Sequence, residues 1–260
     1  MEDLIVVKIG GNVIDQPLAL ETFLKDFAQI KAKKILVHGG GKIATEIGNK
    51  LGQQAIMVEG RRVTDKAMLE TVTMVYGGLI NKNIVAKLQA HGDNAIGLSG
   101  ADGNSILCIK RPVKEVDYGF VGDVKDVNNA FLTHLLAGNL IPIMCPLSHD
   151  GNGSMLNINA DTVATTLAKA MSKDFRTTLL YCFELKGVLS DFEDKTSVIS
   201  EITLDTYNEL KARGVISKGM IPKLDNSFDA IRNGVEKVVI LHSEDVRLAA
   251  EGHQIGTTLS

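Results

Sequence analysis

The 260-residue chain has an ordinary globular composition, with 45% hydrophobic and 23% charged residues, so it can bury a large core as one α/β domain or as two lobes. A net charge of −3, 5% aromatic residues and no tryptophan exclude the basic surface and stacking aromatics of a nucleic-acid binder. No apolar stretch approaches the roughly 18 residues of a membrane-spanning helix, and the N-terminus lacks the apolar core of a signal peptide. We therefore expect a cytoplasmic protein without a membrane or nucleic-acid partner.

Apolar runs that predict β-strands alternate along the chain with amphipathic stretches that predict helices. The strand-like runs are mostly continuous, as expected for parallel strands covered on both faces; they are residues 4–9, 34–38, 95–98, 140–145, 178–183 and 237–241. Residues 105–110 and 119–127 are more alternating and are separated by a charged, proline-containing loop, which predicts a β-hairpin flap in the N-terminal half. The pattern indicates an α/β fold with a largely parallel sheet between helices.

Hydrophobic residues at i, i+3 and i+4 spacing predict helices over residues 18–30 and 64–91. In the longer one, Asp65 lies near the start and Gly92 follows the end, as is typical of helix termini. Gly77-Gly78 interrupts this helix, which predicts a kink or a close neighbour. The stripe predicted to be buried is Leu69, Val72, Val75, Tyr76 and Leu79. The three widely spaced cysteines each lie in an apolar run, which predicts buried thiols; they are Cys108, Cys145 and Cys182.

Three turns that combine glycine with lysine are the main functional signal. Lys8-Ile9-Gly10-Gly11 closes the first strand, Gly39-Gly40-Gly41-Lys42 closes the second, and Lys218-Gly219-Met220-Ile221-Pro222-Lys223 lies far downstream. Glycines let backbone N–H groups approach an anion closely, and the N-terminus of a following helix adds partial positive charge. The lysines indicate that the anion is a phosphate under transfer, whose charge must be neutralised.

The second turn also fits a different class of protein. Gly39-Gly40-Gly41-Lys42-Ile43-Ala44 matches the loose dinucleotide pattern G-x-G-x-x-[G/A], and Glu59 lies about 20 residues further along. Two features disfavour an NAD(P)-dependent oxidoreductase: the turn follows the second strand rather than the first, and the segment around Glu59 is typical of a loop. A P-loop is excluded because Ile43 follows Lys42 where serine or threonine is required.

The remaining polar groups leave alternatives open. Arg61-Arg62 offers bidentate carboxylate recognition, or is a solvated pair. Asn159 and Asp161 suit the cap and first turn of a helix, and Asp161 would also orient lysines that arrive from elsewhere. The six histidines show no metal-ligand spacing, so we predict no protein-bound metal. His38 is interpreted as a structural hydrogen-bonding residue rather than a base.

Taken together and in this order, the motifs resemble the amino acid kinase family over essentially the whole chain. The most similar branch is the one that phosphorylates N-acetyl-L-glutamate. The segments that carry the resemblance are residues 8–11, 38–41, 60–64, 97–100, 157–161 and 219–223. The resemblance implies a three-layer αβα sandwich with a mainly parallel central sheet. It also implies a lobe for the acylated amino acid over residues 1–172 and a nucleotide-binding lobe over residues 173–260.

The reaction that the resemblance implies is transfer of the γ-phosphoryl group of ATP to the side-chain carboxylate of N-acetyl-L-glutamate, the second step of arginine biosynthesis. Mg²⁺ would be held mainly by the nucleotide, and no general base is required because the attacking carboxylate is already ionised. Two alternatives remain: the same reaction on N-succinyl-L-glutamate, and a catalytically silent nucleotide-sensing protein of the same fold.

The resemblance also implies roles for individual residues. Lys8 and Lys223 would flank the transferring phosphoryl group, and Asp161 would hold these lysines in place. The substrate would contact Gly40, Gly41, Arg62 and Asn157. The phosphates and the nucleotide would contact Gly10, Gly11, Glu184, Leu185, Lys186, Gly187, Lys218 and Gly219.

Two positions depart from the family pattern. Glu184 stands where the family usually has aspartate, which would shift how the nucleotide is held. Arg61 stands where an uncharged residue is common, and a second guanidinium beside Arg62 would suit the extra carboxylate of a succinyl group.

The resemblance finally implies an oligomeric state. Arginine-sensitive members of the family carry an N-terminal helix, whereas this sequence begins at its first strand. We therefore expect an arginine-insensitive homodimer, joined through the helix over residues 64–91.

Overall fold

The computed structural model describes residues 1–58, 60–191, 193–216 and 220–260. The strands in these ranges are β1 (Asp3–Ile9), β2 (Lys33–His38), β3 (Met57–Val58), β4 (Arg61–Arg62), β5 (Ala95–Leu98), β6 (Ile106–Lys110), β7 (Gly122–Val127), β8 (Ile141–Met144), β9 (Leu147–His149), β10 (Met155–Asn157), β11 (Arg176–Phe183), β12 (Glu201–Ile202), β13 (Lys237–His242) and β14 (Thr257–Leu259). The α-helices are α1 (Gly11–Ile14), α2 (Pro17–Ala28), α3 (Gly41–Lys50), α4 (Lys66–Val72), α5 (Asn81–Ala90), α6 (Asn129–Ala137), α7 (Ala160–Met171), α8 (Leu204–Ala212), α9 (Ile221–Arg232) and α10 (Val246–Ala250). A π-helix, Thr73–Ile80, joins α4 to α5.

The chain forms two compact units. The first comprises residues 1–35 and 164–260, and the second comprises residues 36–163. The N-terminal strand and α2 therefore group with the C-terminal part of the chain. The lobes expected over residues 1–172 and 173–260 are defined by the ligand that each would bind, not by compactness, and they stay a proposal.

The first unit is built on a sheet with the order β12-β14-β13-β11-β1. β1 and β13 both pair with β11 in parallel, and β14 pairs antiparallel with β13. The continuous apolar runs explain this arrangement, because parallel strands covered by helices need hydrophobic side chains on both faces. The register sets Lys8 opposite Tyr181 and Ile9 opposite Cys182.

The second unit contains a parallel group of β2, β8 and β5 and a separate mainly antiparallel sheet of order β10-β9-β6-β7. The predicted hairpin is confirmed, since β6 and β7 pair antiparallel with a bulge between Leu107 and Cys108. β9 and β10 extend the hairpin, although the sequence did not predict them. Each has three residues, which is too short for a recognisable period.

The predicted α/β fold with a mostly parallel sheet is confirmed. All six predicted parallel-type strands are present, with ends that shift by at most two residues. The three cysteines are buried and free as predicted, and burial raises the pKa of each thiol. Within the described ranges, the helices are all too short or too polar to cross a membrane.

The long helix predicted over residues 64–91 has the expected ends but a different interior. Asp65 accepts a hydrogen bond from the Met68 N–H as the N-cap of α4, and Gly92 has φ +89° just beyond α5. Between them, the π-helix has wider turns: the Asn81 N–H donates to the carbonyl of Tyr76, five residues back.

This π-helix overturns one prediction about the core. Leu79 was expected to be buried, but its side chain is 47% exposed. An α-helix brings the buried face round every 3.6 residues, whereas each π turn takes up one residue more. Ile80 and Asn81 therefore lie in the buried positions that follow Tyr76. The Gly77-Gly78 pair marks the site of this irregularity.

A buried lysine caps the end of α2. The Lys34 side chain is 4% exposed, and its ammonium donates to the carbonyls of Phe27, Ala28 and Ile30 at 2.9, 3.2 and 3.1 Å. The same ammonium lies 4.9 Å from the centre of the Phe27 ring. A cation suits the partial negative charge of a helix C-terminus, so Lys34 ties α2 to the start of β2.

We expect Lys34→Met to lower the free energy of unfolding by about 2–3 kcal/mol, because buried carbonyls at the end of α2 lose a charged donor. Urea titration monitored by circular dichroism measures this change. The matched control is Lys31→Met, at an exposed position in the loop just before β2, which should change stability by no more than about 0.5 kcal/mol. Equal effects of the two substitutions would contradict the capping role.

Candidate active site

The first glycine turn joins β1 to α1 in the first unit. Lys8 is 6% exposed near the carboxyl end of β1. The Gly10 N–H donates to the carbonyl of Cys182 at 3.2 Å, which corrects the expectation that this N–H points to a phosphate. Gly11 begins α1, and a Cβ built there meets no atom of the described chain within 4 Å. Among the described residues, no atom outside the local turn fills the space beside Gly11.

Lys8 and Lys223 converge on one aromatic ring. The Lys8 Nζ lies 5.2 Å from the centre of the Phe183 ring, and the Lys223 Nζ lies 4.4 Å from it. Phe183 ends β11, and Lys223 lies in the first turn of α9, directly after Pro222. The ring stabilises both ammonium groups by cation–π attraction. The structure thus brings together two lysines that are more than two hundred residues apart.

The predicted nucleotide segment follows Phe183. Glu184 accepts a hydrogen bond from the Asn12 side chain at 2.8 Å, which links it to the first glycine turn. An apolar cavity opens beside the segment and is lined by Leu185, Gly187, Val188, Leu189, Val215, Ile216 and Met220. Lys186 is exposed. Lys218 and Gly219 lie outside the described residues, as does Glu59.

The second glycine turn joins β2 to α3 in the second unit. Gly40 has φ +141°, and a Cβ there would overlap Ile80 Cδ1 and lie 3.4 Å from Tyr76 Cδ1. Only glycine fits this position. At Gly41 a Cβ would meet only Arg62 Nη2 at 3.7 Å and Tyr76 Oη at 3.9 Å, which are ordinary contacts. The first intrahelical bond of α3 runs from the Ala44 N–H to the Gly40 carbonyl. The N–H groups before Ala44 therefore have no acceptor within the helix and suit an anion.

Arg62 is buried beside this turn. Its side chain is 8% exposed, and Nη2 donates to the Gly41 carbonyl and to Thr45 Oγ1, both at 2.8 Å. Within the described ranges, Arg62 makes no ion pair. A buried guanidinium with only neutral partners favours binding of an anionic ligand.

Arg61 does not accompany Arg62. The two residues form β4, in which Arg61 is exposed and Arg62 is buried. Successive residues of a strand point to opposite faces, so the expected placement of a second guanidinium beside Arg62 is corrected by the strand geometry.

Asn157 is joined to the Arg62 segment through Thr64. The Asn157 amide donates to Thr64 Oγ1 at 2.9 Å, and Thr64 Oγ1 lies 3.3 Å from the Arg62 carbonyl. Asn157 is 7% exposed at the end of β10. The short strand β10 thus brings the predicted substrate residues Arg62 and Asn157 to one place.

The expected helix cap before α7 is confirmed. Asn159 Oδ1 accepts hydrogen bonds from the N–H groups of Asp161 and Thr162 at 2.8 and 3.2 Å. Asp161 lies in the first turn of α7. Its predicted action on the two lysines stays a proposal.

His38 serves structure, as interpreted from the sequence. Its Nδ1 lies 2.8 Å from the Gly39 carbonyl, and the Asn81 amide donates to Nε2 at 3.1 Å. A carbonyl only accepts, so Nδ1 carries the proton and the ring is neutral. Burial lowers the pKa of His38 to about 4.

Sequence reasoning missed three residues at these sites. The Phe183 ring contacts both lysines, Thr45 contacts Arg62, and the Tyr76 hydroxyl borders Gly41. Thr45 lies one helical turn after the glycine turn, which is a weak signal. For Tyr76, the hydrophobic spacing predicts burial in the core and no functional role. Among the residues that the structure describes, no group of three or more histidine, cysteine, aspartate or glutamate side chains is arranged to hold a metal ion.

The two glycines of the second turn should respond oppositely to substitution. We expect Gly40→Ala to lower the free energy of unfolding by at least about 2 kcal/mol, because φ is positive and the new Cβ overlaps Ile80. Gly41→Ala should change it by no more than about 0.5 kcal/mol. Denaturant unfolding of the pair measures the difference, and similar losses for both would contradict the geometry.

His38 should make stability depend on pH. The unfolded chain takes up a proton near pH 6.5 and the folded chain only near pH 4, so stability falls as pH decreases through this window. The expected loss is up to about 3 kcal/mol. We expect His38→Asn to lack this component in unfolding experiments from pH 7.5 to 4. The exposed His134→Gln should keep it, and parallel curves for native protein and His38→Asn would refute the assignment.

Comparisons with known proteins identify the family. The profile of the amino acid kinase family matches residues 3–242. The chain is 62% identical to acetylglutamate kinase of Cytophaga hutchinsonii over 261 aligned positions, which cover 100% of this chain and 99% of that protein. It is 37% identical to acetylglutamate kinase of Methanopyrus kandleri, over 92% of this chain and 95% of that one.

A solved structure shares the fold over the same length. The crystal structure of smu.665 from Streptococcus mutans UA159 matches with a TM-score of 0.80 and 29% identity, covering 100% of this chain and 99% of that chain. This breadth of similarity excludes an NAD(P)-dependent oxidoreductase. The chain therefore belongs to the amino acid kinase family and is a kinase.

Proposed function

We propose that this kinase transfers the γ-phosphoryl group of ATP to the side-chain carboxylate of N-acetyl-L-glutamate. The observation that carries the proposal is the 62% identity, over the full length, to a protein named acetylglutamate kinase. The buried Arg62 beside a glycine turn supports an anionic amino-acid derivative as the acceptor. The two lysines at Phe183 support phosphoryl transfer.

The phosphoryl group would lie between Lys8 and Lys223. A carboxylate oxygen attacks the γ-phosphorus, the bond from that phosphorus to the β–γ bridging oxygen breaks, and ADP leaves. No proton moves, because the acceptor carboxylate is already ionised. Both ammonium groups and the Gly11 N–H offset charge on the transferring group. Asp161 would hold the lysines in place.

The nucleotide would bind to the segment of residues 184–187, with Lys218 and Gly219. The apolar cavity beside Leu185 and Gly187 suits the face of a purine ring. Mg²⁺ enters with ATP as part of the substrate and would be held mainly by phosphate oxygens. We assign the nucleotide to residues 173–260 and the acylated amino acid to residues 1–172.

The α-carboxylate and amide of the substrate would contact Arg62 and Asn157, near Gly40 and Gly41. Both N–H groups of Arg62 Nη2 already donate within the chain. The carboxylate would therefore displace Thr45 from Nη2, or accept a single hydrogen bond from Nε or from Nη1 of Arg62. In either arrangement the positive charge of the buried guanidinium attracts it.

We also propose a compartment, a pathway step and an oligomeric state for this enzyme. The enzyme would act in the cytoplasm, in the second step of arginine biosynthesis. It would form a homodimer through residues 64–91, where the exposed Met74 and Leu79 offer apolar surface. N-succinyl-L-glutamate is the alternative substrate, although the exposed position of Arg61 lends it no support. A silent nucleotide sensor of the same fold is the second alternative.

The test is ADP release from purified protein with MgATP and one of four acceptors: N-acetyl-L-glutamate, N-succinyl-L-glutamate, glutamate and aspartate. We expect turnover with N-acetyl-L-glutamate and a loss of at least about 100-fold in kcat for Lys223→Met, since an electrostatic contact of the transition state is removed. The matched control is Lys173→Met, at an exposed site of the same unit.

The outcomes separate the alternatives. Turnover confined to N-succinyl-L-glutamate would show that the acyl group of the substrate is succinyl, and the proposed phosphoryl transfer would stand. ATP binding without turnover of any acceptor would favour the nucleotide sensor.

A further inference from the structure

Tyr76 lies along the second glycine turn, with its ring against Gly40 and its hydroxyl at Gly41. The ring atoms Cδ1 and Cε1 lie 3.4 and 3.5 Å from the position of a Cβ at Gly40. The hydroxyl lies 3.9 Å from the position of a Cβ at Gly41, and Arg62 Nη2 lies 3.7 Å from the same position. The hydroxyl and the guanidinium therefore border the same small space beside Gly41, which would admit a methyl group at ordinary contact distances.

The hydroxyl is suited to donate a hydrogen bond into this space. Burial raises the pKa of Tyr76, and the neighbouring Arg62 acts in the opposite direction, so the phenol stays protonated at neutral pH. A guanidinium has only donors, and toward Arg62 the hydroxyl can act only as an acceptor. Its own hydrogen remains for an anion.

Arg62 is less able to bind a carboxylate through two parallel N–H donors than the sequence suggests. Both hydrogens of Nη2 are given to Gly41 and Thr45, and Nη1 lies 3.8 Å from the weak acceptor Met68 Sδ. The guanidinium supplies charge and holds the turn. A second donor at the same space completes the recognition of an anion.

We propose that the Tyr76 hydroxyl donates a hydrogen bond to the α-carboxylate of the acylated glutamate beside Arg62. This inference rests on the proposed function and adds a substrate-binding residue to it.

The π-helix is what presents Tyr76 to the turn. Val75 and Tyr76 are buried, and the wider π turn moves the next buried position to Ile80, which closes on Gly40. Asn81 then reaches His38 and the Ile143 carbonyl, at 3.1 and 2.9 Å. The tyrosine is thus held on one side by its ring contacts and on the other by the anchored end of the π-helix. A donor fixed in this way loses little entropy on binding.

The test compares Tyr76→Phe with native protein on two acceptors, N-acetyl-L-glutamate and its α-carboxamide, N-acetyl-L-isoglutamine. We expect kcat/KM for N-acetyl-L-glutamate to fall about 10- to 100-fold, the usual range for a lost hydrogen bond to a charged group. The fall should lie in KM for the acceptor, with kcat and KM for ATP unchanged, because a remote carboxylate is bound equally in the ground and transition states. On the carboxamide the fall should shrink to less than about threefold.

Two further measurements guard against a structural effect. Tyr118→Phe is the matched control, because phenylalanine keeps the ring on which the Arg111 guanidinium packs at 5.3 Å; its kinetics should equal those of the native protein. The rise in Tm caused by N-acetyl-L-glutamate should be smaller for Tyr76→Phe than for the native protein, while Tm without ligand is unchanged.

The results decide between the inference and the function on which it rests. A native protein that turns over neither acceptor overturns the proposed function and the role of Tyr76 with it. A native protein that is active, with Tyr76→Phe equally active or equally impaired on both acceptors, overturns the role of Tyr76 alone.

Discussion

The second unit depends on the close approach of the long helical segment to the Gly39-Gly40-Gly41 turn. Ile80 occupies the volume that any side chain at position 40 would need. Gly40 must also adopt φ +141°, which strongly favours glycine. The same approach sets the Tyr76 ring along the turn and lets Asn81 hold His38. One steric constraint thus fixes the start of α3, the orientation of a buried histidine and the space beside Arg62.

The buried cations of this protein have different roles, some in stability and some in the candidate sites. Lys34 gives its ammonium to three carbonyls at the end of α2, so it serves stability. Lys8 lies on an aromatic ring that it shares with Lys223, and Arg62 holds a carbonyl and a hydroxyl. The neutral partners of Arg62 lower the cost of burying its charge without cancelling the charge. Arg62 therefore remains able to attract an anion such as a carboxylate.

Much of the fold followed from the sequence because its signals are local. Continuous apolar runs identified the parallel strands, and alternation with a charged loop identified the hairpin of β6 and β7. The short strands β9 and β10 gave no signal because three residues carry no period. The prediction that Leu79 is buried is wrong because it assumes an α-helical period, whereas this segment is a π-helix. Arg61 was paired with Arg62 by adjacency in the sequence, whereas a strand sends neighbours to opposite faces.

The sequence by itself determined the α/β class, the glycine turns, the lysines beside them and the family resemblance, because each depends on residue type and spacing along the chain. Only the tertiary structure decided that Lys8 and Lys223 meet at Phe183 and that the Gly10 N–H is used by Cys182. It also placed the Tyr76 hydroxyl beside Arg62. These facts depend on strand register and on the extra residue in each turn of the π-helix. Both come from packing between segments distant in sequence, which no local pattern records.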